Sequence, residues 1–141
     1  MAKIKKLMTH PVLLLSPWVF ILATGLYHRF APPVWDKSVQ RITVDTRSER
    51  IVTSSTYRKT CGCPALHINY ALVDVHTGKL YPLSGAEAIS AERGAITTVR
   101  YSFSRPHALP PGTYRLRIVG VFRRLFMSAK DTAYSEPFII N

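Results

Sequence analysis

"LPPGTYRLRIVGVF", residues 109–122, reads as a turn running straight into a strand. Pro110, Pro111 and Gly112 break any helix and favour a reversal of the chain. After them, large apolar and charged side chains alternate. Tyr114, Leu116 and Ile118 fall on one face, Arg115 and Arg117 on the other. A period of two over this length marks a strand with one face buried and one in water. The same period recurs on either side. In "RITVDT", Ile42 and Val44 alternate with Arg41, Thr43 and Asp45. In "ALHINYALVDV", Leu66, Ile68, Tyr70 and Leu72 share a face; "HTGK" supplies a hairpin glycine and "LYPL" resumes. In "AITTVRYSFS", Val99, Tyr101 and Phe103 alternate with Arg100 and Ser102, and "EPFIIN" closes the chain as a last strand. Residues 84–95, "SGAEAISAERGA", are open to a turn or two of helix between strands.

Six or seven short strands with turn signals between them point to a mainly β chain, a small antiparallel β-sandwich over residues 39–141. The Pro-Gly turn leading into Tyr-x-Leu-x-Ile resembles the approach to the penultimate strand of immunoglobulin-like and fibronectin type III-like domains. That resemblance implies an Ig-like sandwich with Tyr114 as its corner tyrosine, hydrogen-bonded back to upstream backbone, and "SEPFII" as its final strand. The cysteine–tryptophan–cysteine pattern of antibody domains is absent, because the cysteines lie one residue apart and no tryptophan follows Trp35. The resemblance is one of architecture, not of family.

Residues 1–38 have a different character. Lys3, Lys5 and Lys6 make residues 1–10 a basic tail, after which no side chain from Pro11 to Tyr27 carries a full charge. With His28 and Arg29 snorkelling, residues 11–30 approach the roughly 20 residues that cross a bilayer, and a transmembrane anchor is expected there. Trp18 falls mid-span, whereas Tyr27 and Trp35 suit the far interface. A cleaved signal peptide shares the basic start, but "LATGLYH" offers a poor small-residue site. Pro11 and Pro17 disfavour a buried core helix. Pro32 and Pro33 make residues 31–38 a stiff spacer. The leading lysines favour a cytoplasmic N-terminus and an exported, periplasmic C-terminal domain.

The densest chemistry lies in "RKTCGCPALH", residues 58–67. A metal needs three or four ligands; Cys61, Cys63 and His67 have matching parity, but Gly62 and Pro64 oppose a strand straight enough to align them. A disulfide between Cys61 and Cys63 needs a tight turn at Gly62, because alternate residues of an extended strand hold their Cβ atoms too far apart. A redox pair, a bond between copies in an oligomer and quiet thiols stand beside it as readings. Asp74 and His76 could share a strand face, yet no nucleophile elbow, HExxH or phosphate-cradling glycine loop accompanies them. Neither an enzyme nor a cofactor is expected.

The chain carries 19 Lys and Arg against 8 acids, a formal charge of +11. Arginine outnumbers lysine, which favours fork-like contacts with carboxylate or phosphate. Arg115, Arg117, Arg123 and Arg124 are expected on or just beyond one strand, with Arg100 on a neighbour, as a basic interaction face. Its fitting partners are another envelope or virion protein, anionic lipid headgroups beside the anchor, and nucleic acid. The expected function is a non-enzymatic, single-pass membrane protein, held in lipid by residues 11–30, that presents this basic sandwich at the membrane surface. Small size, a short basic tail and a single anchor resemble accessory envelope components of a bacterium or of a membrane-containing phage virion. The alternative is a membrane-tethered protein that contacts nucleic acid.

Overall fold

Tyr114 and its alternating neighbours form the longest strand among the described residues, and one of two sheets is built on it. The computed structural model describes residues 11–141, with side chains from position 16 onward except at 28; the basic tail, with its three lysines, lies outside the described residues. The chain divides into two compact units, one ending at Pro32 and the other spanning Pro33–Asn141.

In the first unit, helix α1 runs from Pro11 to Phe30 with Pro17 inside it, over the range expected of the anchor. Five successive side chains, Trp18 to Leu22, stand 58–65% exposed. At about 3.6 residues per turn they encircle the helix. Among the described residues, however, no helix is long and apolar enough to cross a membrane. Ser16, Pro17, Thr24 and Arg29 dilute the apolar run.

The second unit holds β1 (Arg41–Asp45), β2 (Arg50–Tyr57), β3 (Ala65–Asp74), β4 (Leu80–Pro82), β5 (Ser84–Glu92), β6 (Thr97–Ser104), β7 (Gly112–Arg124), β8 (Met127–Tyr134) and β9 (Phe138–Ile140). They form two antiparallel sheets, β1-β2-β6-β5 and β4-β3-β7-β8, with β9 also on β7. Tyr114 pairs with Asp74 on one side and Phe138 on the other, so β8 and β9 follow each other along one edge of β7. Ser135 sits in the break between them, donating its N–H to the Leu116 carbonyl and accepting the Leu116 N–H on its hydroxyl, both at 2.9 Å. Counted as one interrupted strand, they complete a four-stranded sheet that matches the four strands of the other, the arrangement of an antiparallel β-sandwich.

Three elements depart from the sequence reading. Residues 84–92 are not helical; they form strand β5, exposed throughout and joined to β6 with two register shifts. Local alanines and glutamates favour helix, and pairing with β6 overrides them. Strand β2 turns Ile51, Thr53 and Ser55 inward, and β8 turns Ala129, Asp131 and Ala133 inward. With hydroxyls, a carboxylate and small side chains on the buried face, neither shows a strong apolar period.

Trp35 marks the main correction. It belongs to no spacer and no interface; with Val34 it is buried in the sandwich, 3% and 1% exposed. Its ring stands edge-on to Phe122 of β7 at 5.4 Å and tilted to Tyr57 of β2 at 6.3 Å, so it joins the two sheets. Its backbone N–H donates to the Asp131 carboxylate at 2.9 Å. The sandwich therefore begins at Pro33, six residues before the boundary read from sequence. Gly120 makes room for the indole. A Cβ there would lie 2.5 Å from the Phe122 ring and 2.8 Å from the Trp35 ring. The core to which Trp35 belongs also holds Ile42, Ile51, Leu72, Tyr114, Leu116, Ile118 and Phe122.

Candidate functional site

Strand β7 positions most of the residues singled out from the sequence. At its start Tyr114 is fully buried and its hydroxyl donates to the Pro110 carbonyl at 2.6 Å. Burial, helped by Tyr81 and Asp74, raises the pKa of this phenol, so it remains a donor. The bond ties the turn at Pro110 to the start of β7, whose register is set by its ladders with β3, β8 and β9.

From there parity sorts the arginines. Arg115, Arg117 and Arg123 stand on the outer face of the second sheet, the first and last exposed and Arg117 half-buried. Lys130, not singled out from the sequence, and His67, read there only as a candidate metal ligand, join them. Val121 lies between His67 of β3 and Lys130 of β8, directly across the ladder, so both share this outer face. Other cross-strand neighbours here are Ala71, Asn69, Tyr134, Thr132 and Ser128, and no acid is in register with them. Among the described residues none of these cations forms an ion pair, and Arg117 Nε is buried without a hydrogen-bond acceptor.

The other two arginines leave this face. Arg124 has even parity, turns inward and is 6% exposed, with Nη2 3.9 Å from Cys61 Sγ. Arg100 is on β6, in the other sheet, between Ser54 and Ser90. Its surroundings are mixed: Asp45, Glu87 and Glu92 lie on that sheet. Hydrogen bonds from Arg47 chiefly, and Arg100 through space, lower the pKa of Asp45. The expected five-residue face is thus divided between the two outer surfaces and the interior.

Cys61 and Cys63 are joined in a disulfide. Their Cα atoms are 5.2 Å apart, shorter than the roughly 6.6 Å of alternate residues on a strand, because the chain bends at Gly62. The bond occupies both sulfurs, and His67 points from the sheet's outer face, so the three candidate ligands are not assembled. Among the described residues no group of three or more His, Cys, Asp or Glu could hold a metal. The loop is tied on both sides: Arg123 N–H donates to the Pro64 carbonyl at 2.9 Å, and Lys59 Nζ reaches the Cys63 carbonyl at 3.2 Å. Arg58 pairs with Asp36, whose pKa falls to about 2 through bonds from Ser38 and Arg58. That tie is intact above roughly pH 4 and is lost as the pH falls through about 2. Full-length chain treated with a maleimide is expected to label only after reduction; labelling without reductant would show that the bond does not form in the folded protein.

Between the sheets, on the β4–β5 side, an open cleft of about 570 Å³ is lined by Ile68, Tyr70, Leu83, Ala86, Tyr101 and Phe103. Tyr70 lies 4.8 Å from Phe103 and 5.8 Å from Tyr101, centroid to centroid, and burial raises its pKa. The lining offers ring faces rather than a converging set of charges. No family model matches the chain, and neither a curated protein nor a solved structure matches it.

Proposed function

We propose that the chain is a non-enzymatic, membrane-tethered interaction protein, residues 11–30 holding it at the bilayer and the sandwich presenting a basic docking face to an acidic protein partner. The observation that carries this reading is the outer face of the second sheet, where Arg115, Arg117, Arg123, Lys130 and His67 stand in register without an acid among them. Arg117 Nε, buried without an acceptor, is a donor a carboxylate can satisfy. The tether is supported by the five successive apolar side chains Trp18 to Leu22, each more than half exposed around α1, since apolar groups on every side of a helix turn need lipid or protein around them. The disulfide favours an oxidising, extracytoplasmic compartment, in a bacterial envelope or a membrane-containing virion.

Charge reversal tests the face. A photo-crosslinker at Lys130, in intact membranes, is expected to give a discrete protein adduct. Arg115→Glu with Arg117→Glu is expected to weaken that contact at least tenfold, about 1.4 kcal/mol or more. The same cations suit phosphates, and an adduct to nucleic acid, with affinity falling steeply in salt, would replace this reading by its alternative. No adduct of either kind would remove the docking face.

A further inference from the structure

The hairpin joining β7 to β8 is a two-residue turn, Leu125–Phe126, closed by the pair Arg124–Met127. Leu125 has φ 54°, the one non-glycine residue with positive φ among the described residues. A two-residue hairpin with positive φ at its first central position is where glycine is favoured, so leucine here strains the backbone. The side chain thus retained is not buried: Leu125, Phe126 and Met127 are 59%, 83% and 51% exposed. Three consecutive large apolar residues, each more than half exposed and one set against its backbone preference, mark a contact surface.

Topology gathers more of the same chemistry at this end. The β2–β3 loop with the disulfide, the β5–β6 loop and the β7–β8 turn all lie at one end of the sandwich, as the pairings of Tyr57 with Thr97 and of Ala65 with Phe122 require. Leu66 and Ile96 are 54% and 48% exposed there. Arg93 and Arg123 are exposed beside them, with Arg58 and Lys59 in the disulfide loop. The acids at this end are Asp36, bound to Arg58, and Glu92, the last residue of β5. This is also where the chain enters the domain: Thr60 Oγ1 donates to the Pro33 carbonyl at 2.6 Å, three residues on from the end of α1.

We infer that this end of the sandwich docks on an anionic lipid surface, with Leu125, Phe126 and Met127 entering the interfacial layer and Arg93 and Arg123 meeting lipid phosphates. The inference rests on the membrane-tethered reading and adds a second, peripheral contact to it. Apolar tips flanked by arginine are suited to the boundary between headgroups and acyl chains, and two weak membrane signals give a firmer hold than one. Strain at Leu125 then has a use, because glycine would relax the turn and remove the side chain that enters lipid.

The test uses full-length chain with a polarity-sensitive fluorophore on Phe126→Cys, Cys61 and Cys63 kept oxidised, mixed with phosphatidylcholine vesicles with or without phosphatidylglycerol. Expected is a blue shift that is larger on the anionic vesicles and reduced several-fold by Arg123→Glu. Leu125→Gly is expected to raise the denaturation midpoint while lowering affinity for the anionic vesicles several-fold. If the chain floats with vesicles but the fluorophore stays water-like, the docking end is overturned while the tether stands. A chain that does not float overturns both. An equal shift on neutral vesicles overturns the role of the arginines, and a shift without vesicles at raised protein concentration would mean that a second copy covers the tip, which also overturns the inference.

Discussion

Trp35→Ala is expected to lower the stability of the sandwich by about 3–5 kcal/mol, the range for removing a large buried aromatic. The indole fills the space between Phe122 and Tyr57, over a glycine that leaves no room for a Cβ, so alanine would open a cavity that Gly120 cannot collapse into. Denaturant unfolding of the full-length chain in mild detergent, followed by circular dichroism, reads the loss directly. Trp35→Phe should cost less than alanine, since it keeps a ring and removes Nε1, which is buried without an acceptor. The result separates two placements of one residue. A tryptophan lying in a spacer would tolerate alanine within about 0.5 kcal/mol. A change that small would mean Val34 and Trp35 are not part of the domain.

Tyr114→Ala is expected to cost a similar amount, about 3–5 kcal/mol, whereas Tyr114→Phe should cost about 1 kcal/mol. The ring is the largest fully buried side chain among the described residues, edge-on to Tyr81 at 6.0 Å and lying over Gly112. Phenylalanine keeps all of that and loses only the hydroxyl bond to Pro110. The interval between the two variants therefore divides ring burial from the corner bond. Phenylalanine as stable as tyrosine would show that the turn is held by its prolines alone.

How much of this was legible depended on what each strand turns inward. Strand β7 was readable because large apolar groups alternate with arginine. Its parity also assigns Arg123 outward and Arg124 inward, so their separation was available from the sequence alone. Strands β2 and β8 were not readable, because Thr53, Ser55, Ala129 and Asp131 occupy buried positions where a period-two pattern needs aliphatic groups. Strand β5 has no buried face to show. The role of Trp35 depends on Asp131, 96 residues away, and on space left at Gly120; neither is a local signal. Lys130 and His67 became part of the basic face only when pairing placed both beside Val121.

The way the chain enters the sandwich also decides how a pull on the helix would be carried. The first residues to take the load are Val34, Trp35 and Asp36. They are cross-braced by Thr60 N–H to the Val34 carbonyl, Asp36 N–H to the Arg58 carbonyl, and Asp131 gripping the Trp35 amide. These bonds tie the entering segment to the β2–β3 loop and to β8, so tension is shared between both sheets before strand β1 is reached. To peel the domain from its end, the indole would first have to leave the core. The plug is thus a mechanical fuse set ahead of the sheets: while it holds, a pull on the helix leaves the strands of the sandwich in register.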